Sequence, residues 1–214
     1  MNNLQLTNIL LGFDKSVAKN FRGVIPIDAF VRMASERLDL STPNTFIVNA
    51  TRIHGNANWR RETGHWLFVQ IGPPTHVAGK SSGDGQEWGA RGGIKVLYFD
   101  SYARDIDFYG RDFSDLLRGI ATDSIEPAPF KVQSSKSRLC GLFCVLVAFN
   151  INSFDHNLTA LVKHFFKRSA DELELEKNDD ILLEWVLKQS FSMLFKKVCA
   201  TSTEDHCISF NDLF

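Results

Sequence analysis

Apolar and polar residues follow patterns that predict one helix and three buried strands in the first half of the chain. Residues 26–38 place apolar side chains at helical spacing behind a proline, as at the start of an amphipathic helix. Short apolar runs at 45–50, 66–71 and 94–99 are bounded by turn residues and predict strands. A Gly- and Pro-rich connection over 72–93 joins the last two strands, which we expect to pair. It is a substrate flap or a long hairpin loop, and we favour the loop.

The second half of the chain is dominated by helical patterns. Residues 112–118 predict a short helix opened by an aspartate at its first position. Residues 140–151 are nearly all apolar, which allows a buried helix or a buried strand, and periodicity does not decide between them. Residues 157–168 and 180–198 carry apolar side chains on one side and predict two further helices. The acidic run 171–180 predicts a solvated face or a turn.

These elements predict a single α+β domain over residues 1–214, with a small central mixed sheet and a helical C-terminal part from roughly residue 155. Hydrophobic residues make up 44% of the 214 and charged residues 23%, which is typical of a packed globular protein. The formal net charge of −1 argues against a protein that coats nucleic acid, because such domains are usually strongly basic.

The chain has no apolar stretch long enough to span a membrane, and we expect no membrane association. Its first residues lack the basic segment and long apolar core of a secretion signal. We therefore expect a reducing compartment, in which the four cysteines need not form disulfides. No metal site is expected.

Four polar side chains near the predicted strands together carry the chemistry of a thiol hydrolase. His65 lies at the start of one strand, Asp100 ends the next, and Cys140 opens the long apolar segment, seven residues after Gln133. A thiolate is a strong nucleophile, and a histidine paired with it later protonates the leaving amine. A carboxylate orients the imidazole, and a side-chain amide with a backbone N–H binds the oxyanion. If Cys140 begins a helix, the helix dipole also favours its thiolate.

Each of these residues alone has a more ordinary interpretation. A histidine beside a strand is usually structural, a cysteine before an apolar run is usually a core residue, and an aspartate after a strand usually caps a turn. A glutamine in a polar loop is usually solvated. The combination favours a catalytic site, because elements adjacent in sequence usually lie adjacent in space.

Four segments resemble the adenovirus endopeptidase (adenain) family of viral cysteine proteases, which is related to the proteases that process ubiquitin-like modifiers. They are GFDKSVAKNFRGVIP at 12–26, RETGHW at 61–66, the spacing from Gln133 to the CGLFC motif at 140–144, and FDHNLT at 154–159. The third is the most specific. Together they span about residues 10–160.

The resemblance implies a papain-like, adenain-like cysteine protease fold, in which a central buried helix carrying the nucleophile packs against the mixed sheet. It implies that Cys140 is the nucleophile, His65 the base, Asp100 its orienting acid, and Gln133 an oxyanion-hole donor together with the backbone N–H of Cys140.

The resemblance also implies three substrate-contacting residues: Gly64, Trp66 and Gly141. Trp66 would shield the imidazole or contact the substrate backbone. The implied activity is endopeptidase cleavage of viral structural and core precursors at Gly-containing sites during virion maturation. The implied setting is the host cell nucleus or the virion. The sequence itself shows no required cofactor, but family members are stimulated by a viral peptide and by DNA.

The chain departs from the family in three features. Most adenains have Glu where this chain has Asp100, as the modifier proteases do. The connection over 72–93 lengthens the spacing from histidine to acid. No cysteine lies between Asp100 and Cys140 to hold an activating peptide by a disulfide. A basic cluster of Lys131, Lys136 and Arg138 precedes the nucleophile and would suit an anionic partner, although a solvated loop is the commoner interpretation.

Three other functions remain open from the sequence. A deconjugating protease for a ubiquitin-like modifier uses the same triad. A chymotrypsin-like viral cysteine protease shares the order of histidine, acid and cysteine, but its loop has glycine where this chain has Arg138, and the helical C-terminal third argues against it. A catalytically inert binding module of the same fold is the third.

Overall fold

The computed structural model describes residues 5–7, 9, 20–51, 64–73 and 93–201, although not the side chains of residues 37 and 191–201. Its strands are β1 (Phe21–Pro26), β2 (Asn44–Asn49), β3 (Trp66–Gly72), β4 (Lys95–Asp100) and β5 (Ser124–Pro127). Its helices are α1 (Ile27–Arg37), α2 (Arg111–Ile120), α3 (Cys140–Asn150), α4 (Leu158–Phe165) and α5 (Glu172–Thr201). Short 3₁₀ helices cover Ile106–Tyr109 and Ile151–Phe154.

The five strands form one mixed sheet whose spatial order follows the chain, from β1 to β5. The two outer pairs, β1 with β2 and β4 with β5, are parallel, and the inner pairs are antiparallel. The predicted pairing of β3 with β4 is confirmed, with Leu67 opposite Asp100. This register brings the start of β3 beside the end of β4.

Helices cover both faces of the sheet, so the fold is a mixed α+β arrangement of three layers. Successive residues of a strand point to opposite faces. Phe68 and Phe99 belong to the core beneath α3, whereas Val69 and Tyr98 belong to the core that also holds side chains of α1 and α2. Burial on both faces explains why the central strands have continuous apolar runs instead of alternating ones.

The long apolar segment that sequence periodicity left open is the helix α3. All residues from Cys140 to Ala148 are buried, so the helix has no polar side to reveal its period. It packs on the sheet, mainly on β3, and is flanked by α4 and α5. The predicted helix at 26–38 and the three predicted strands are confirmed to within one residue or two.

Two details of local structure differ from the prediction. The acidic run 171–180 is mostly the start of α5 and not a turn, but its Asp and Glu side chains are exposed or half-buried, as predicted for a solvated face, and only Leu175 and Asn178 are buried. The short helix α2 begins at Arg111 and Gly110 is its N-cap residue, so the aspartate of the prediction lies inside the first turn.

The sequence patterns missed β1 and β5, the two edge strands. Both are only partly buried and both end in proline; β5 has only four residues, and β1 contains Gly23 in a positive-φ conformation. Such strands lack the apolar run that marks a buried strand. Most of the 72–93 connection, residues 74–92, lies outside the described residues. Within the described part of the chain, no helix combines the length and apolarity needed to span a membrane.

Two glycine substitutions test the packing around the sheet. A Cβ at Gly72 would lie 2.7 Å from the Pro43 Cα, so Gly72→Ala requires movement of the backbone. We expect a loss of about 1–3 kcal/mol in the free energy of unfolding. Gly119→Ala on α2 meets nothing within 4 Å and is expected to stabilise by about 0.5–1 kcal/mol. Chemical denaturation of both variants measures the difference, and equal effects would contradict this account.

Candidate active site

His65 and Asp100 form a close pair at the edge where β3 begins and β4 ends. His65 Nε2 lies 2.6 Å from Asp100 Oδ1. The Asp100 side chain is fully buried, and the His65 side chain is 16% exposed. The carbonyl of His65 accepts a 2.8 Å hydrogen bond from the Ala50 N–H, which holds His65 in line with the sheet. The expected proximity of these two residues therefore follows from the antiparallel register of their strands.

The Asp100 carboxylate is compensated by donors from the turn that follows β4. Besides His65, it accepts hydrogen bonds from the N–H of Tyr102 at 2.9 Å, the N–H of Arg104 at 3.3 Å and the hydroxyl of Tyr109 at 2.6 Å. Burial raises the pKa of the Asp100 carboxyl, but these hydrogen bonds and the adjacent imidazole outweigh burial and keep the pKa below its usual value. Asp100 is therefore ionised at neutral pH.

Two tyrosine rings hold the imidazole from the sides. The Tyr109 ring is parallel to the His65 ring within 8°, with centroids 6.1 Å apart, and the Tyr102 centroid lies 5.1 Å from it. Tyr109 thus both packs near His65 and donates to its acid. No motif in the sequence marks this residue, because its role depends on the 3₁₀ turn after β4.

Cys140 is the first residue of α3 and lines the same cavity as His65, whose pKa it helps to raise. His65 Nε2 faces Asp100, so Nδ1 is the ring nitrogen available to the thiol. The Cys140 Sγ also lies 3.8 Å from the carbonyl oxygen of Gly64. The carbonyl of Leu139, the residue before the helix, accepts hydrogen bonds from the N–H groups of Leu142 and Phe143. The N–H of Cys140 has no acceptor within the helix, because Cys140 is the first helical residue.

The electrostatics of the site favour a charged imidazole. Burial lowers the pKa of His65, but the hydrogen bonds with Asp100 and Cys140, and the charges on both, outweigh burial and raise the pKa from 6.5 to about 9. An imidazolium between a carboxylate and a sulfur is the arrangement in which the sulfur acts as a thiolate nucleophile.

Gln133 lies in the same cavity and is fully buried. Its Oε1 accepts a 2.5 Å hydrogen bond from the Ser101 hydroxyl, and its Nε2 donates to the Ser137 carbonyl at 2.9 Å. The bond from Ser101 thereby fixes the orientation of the amide, with Oε1 toward Ser101 and Nε2 toward Ser137. The second N–H of Nε2 remains for a ligand. Ser101 directly follows Asp100, so one stretch of chain orients both the acid and the amide.

The loop that carries Gln133 is attached to the start of α5. Asn178 is fully buried and donates to the Val132 carbonyl at 2.9 Å. Glu172 accepts from the N–H of Ser135 at 2.6 Å and pairs with Lys131 at 2.5 Å. The acidic segment, which the sequence predicts to be a solvated face or a turn, therefore braces the loop before Cys140.

Gly64, Trp66 and Gly141 have different positions in the site. Gly64 and Trp66 line the cavity, but Trp66 is 1% exposed and forms its wall. A side chain at Gly64 would collide with Asn49 and Thr51. Gly141 is not among the lining residues, and a Cβ there would lie 3.2 Å from Trp66.

The cavity around Cys140 has a volume of about 480 Å³, enough for part of a polypeptide. Its lining residues are Gly64, His65, Trp66, Tyr102, Arg104, Gln133, Ser137, Arg138 and Cys140. The structure thus brings together all four residues that the sequence singled out for catalysis. No cluster of three or more metal-ligating side chains occurs among the described residues.

Cys144, one turn after Cys140, is a core residue. It is fully buried, and its Sγ lies 3.4 Å from the Trp66 carbonyl oxygen. Burial raises the pKa of its thiol well above the usual value, and the neighbouring Cys140 and Asp100 act in the same direction. Cys144 therefore stays a protonated thiol.

No protein family and no curated protein matches the sequence. Among solved structures, the chain is similar to the central domain of the uncharacterised Lpg1148 protein from Legionella pneumophila. The two share 15% identity and a TM-score of 0.44, over 90% of this chain and 98% of the other.

The raised pKa of His65 gives a prediction about pH. By NMR titration of its imidazole, we expect a pKa of about 9 in the wild type and a lower one in Cys140→Ala, which loses one of the groups that raise it. Because the folded pKa exceeds the unfolded value of 6.5, protonated His65 stabilises the fold fully below pH 6.5, and this stabilisation is lost as pH rises through 9. A wild-type pKa at or below 6.5 would contradict this account.

Proposed function

We propose that this protein is a cysteine endopeptidase with a papain-like fold of the adenain type. The observation that carries the proposal is the arrangement around one cavity of a cysteine at a helix N-terminus and an imidazole, with a buried carboxylate bonded to the imidazole. This is the set of groups that nucleophilic acyl transfer requires.

The first half of the reaction forms a thioester. The Cys140 thiolate attacks the scissile carbonyl carbon, and the carbonyl oxygen takes the negative charge. The free N–H of Gln133 and the backbone N–H of Cys140 stabilise that oxyanion. The His65 imidazolium then donates its proton to the leaving nitrogen, the C–N bond breaks, and an amine departs.

The second half hydrolyses the thioester. Neutral His65 accepts a proton from water, whose oxygen attacks the thioester carbonyl. The C–S bond breaks, the acid product leaves, and Cys140 returns as a thiolate beside the imidazolium. Throughout, Asp100 keeps the ring in place through Nε2, so Nδ1 stays directed at the sulfur.

The sequence resemblance extends the proposal to a substrate class. The substrates would be viral structural and core precursors, cleaved at Gly-containing sites in the host nucleus or in the virion. Glycine suits a cleft whose wall at the nucleophile is formed by Trp66 and the backbone of Gly64. Stimulation by a viral peptide or by DNA belongs to the same proposal.

Asp100 supports a second candidate, a deconjugating protease for a ubiquitin-like modifier. Those enzymes have Asp as the third member of the triad, where most adenains have Glu. The catalytic chemistry is the same, and the difference lies in whether the segment before the scissile bond belongs to a precursor or to a folded modifier.

The central test is cleavage of a Leu-x-Gly-Gly peptide linked to a reporter amine. We expect wild-type protein to release the amine and Cys140→Ala to lose activity by at least about 10⁴-fold, because no other group replaces the sulfur. Cys144→Ala is the matched control and should remain active, since Cys144 lies in the core.

A second arm of the experiment separates the two candidates. A ubiquitin-like modifier with an electrophilic C-terminus should form a covalent adduct with Cys140 of a deconjugating protease, whereas an endopeptidase is labelled only by the short electrophilic peptide. Undiminished cleavage by folded Cys140→Ala would overturn both candidates.

Ser101 and Gln133 give a further prediction. Gln133→Ala should lower kcat by about 10²–10³-fold, the usual effect of losing an oxyanion donor. Ser101→Ala should lower kcat by about tenfold with little change in KM, because the amide loses the 2.5 Å bond that orients it. If Ser101 acts through Gln133, the double variant is no slower than Gln133→Ala alone, and additive losses would contradict that role.

A further inference from the structure

Positive side chains lie at the cavity beside the nucleophile. Arg104 and Arg138 both line the cavity around Cys140. Arg104 and Tyr102 also line an adjoining cavity of about 350 Å³, together with Lys131 and Ser135. The two cavities adjoin each other at Tyr102 and Arg104, and together we call them the groove. It runs from the nucleophile along the turn that follows β4.

No carboxylate of the described residues lines either part of this groove. Lys131 is paired with Glu172 at the start of α5. Arg104 and Arg138 form no ion pair with a described residue. The groove thus presents two guanidinium groups that have no ion-pair partner among the described residues.

The guanidinium of Arg104 is held in place before any ligand arrives. Its central carbon lies 4.7 Å from the centroid of the Tyr102 ring and 4.5 Å from that of the Phe108 ring. Such stacking leaves the edge of the guanidinium plane for hydrogen bonds and reduces the side-chain entropy lost on binding. Phe108 is 64% exposed, which is unusual for a large apolar side chain and is explained here by its contact with Arg104.

We propose that this groove binds a polypeptide with an acidic side chain close to the scissile bond, its carboxylate held by Arg104 and Arg138. The proposal rests on the proposed peptidase function and specifies its substrate class. A planar guanidinium matches a carboxylate by two parallel hydrogen bonds, so Arg104 supplies geometry as well as charge. The exposed Arg138, two residues before Cys140, places a second charge at the nucleophile.

A peptide fits these observations better than a nucleic acid does. Nucleic-acid surfaces spread many cations over a face or a helix, whereas here the two unpaired arginines lie within the groove that holds the nucleophile. The net charge of the whole chain is −1. The triad also requires that an amide or ester carbonyl reach Cys140, which a peptide in this groove supplies.

The cleavage test uses matched Leu-x-Gly-Gly reporter peptides in which Glu replaces Gln at one position at a time on either side of the scissile bond. For at least one position, we expect wild-type kcat/KM to be about tenfold higher with Glu than with Gln. In the double variant Arg104→Gln/Arg138→Gln, the ratio of kcat/KM for the Glu peptide to that for the Gln peptide should fall to near one. Arg32→Gln is the control, because Arg32 is exposed on α1, which packs on the opposite face of the sheet.

A binding test separates this proposal from the peptidase proposal. Fluorescence anisotropy with the inactive Cys140→Ala protein measures the affinity for the same Glu and Gln peptides without turnover. We expect the Glu peptide to bind more tightly than the Gln peptide. This preference should be lost in the arginine double variant and should weaken as salt is added. Such a result supports the proposal even if the wild type cleaves nothing. Cleavage by the wild type with equal rates for Glu and Gln at every position overturns it and leaves the peptidase proposal standing.

A third arm uses a single-stranded oligonucleotide of the same length as probe. If it binds through Arg104 and Arg138 more tightly than the Glu peptide, the groove is a nucleic-acid site and the proposal is overturned. Absence of binding by all three probes overturns it as well. Circular dichroism and thermal unfolding of each variant show that losses do not come from unfolding.

Discussion

A buried carboxylate is the constraint on which the site depends. Asp100 has no solvent exposure, and an ionised group there is tolerated only when donors replace water. Those donors are the His65 ring, the Tyr109 hydroxyl and two backbone N–H groups of the turn after β4. The conformation of the turn and the orientation of the imidazole are therefore both fixed by one charge.

The position of the imidazole in turn depends on the sheet. With Leu67 opposite Asp100, His65 lies just beyond the region paired with β4, where its ring bonds the acid and lines the same cavity as Cys140. The sulfur is fixed separately, because α3 is buried along most of its length and does not rotate to follow the ring. The geometry of the proposed catalytic site thus results from two rigid elements that meet at one edge, which suits a site that needs precise positioning.

The sequence predicted the parts of this site that chemistry and strand order determine. His65 and Asp100 were placed at the ends of neighbouring strands by the apolar runs that follow and precede them, and Cys140 opened the next buried segment. The sequence did not predict that this segment is a helix, because burial on every side removes its periodicity. Only the family resemblance favoured a helix.

The missed contributors are residues whose role depends on long-range contacts. Tyr109 acts from a 3₁₀ turn, and Ser101 acts on Gln133 across 32 positions. Asn178 and Glu172 brace the loop before the nucleophile from a helix whose acidic composition indicated a solvated face or a turn. Nothing local in the sequence distinguishes such residues from ordinary surface or capping residues, because their partners lie on other elements.

The identity of the acid follows from the turn that it begins. Oδ1 of Asp100 accepts the N–H of Tyr102, two residues ahead, while it also faces His65 Nε2. An aspartate side chain has the right length for this local bond, whereas glutamate is one methylene longer and would carry the carboxylate past the turn. The turn after β4 thus favours Asp over Glu at this position. On the proposed function, discrimination between a precursor and a folded modifier falls to the groove, which Arg104 and Arg138 line.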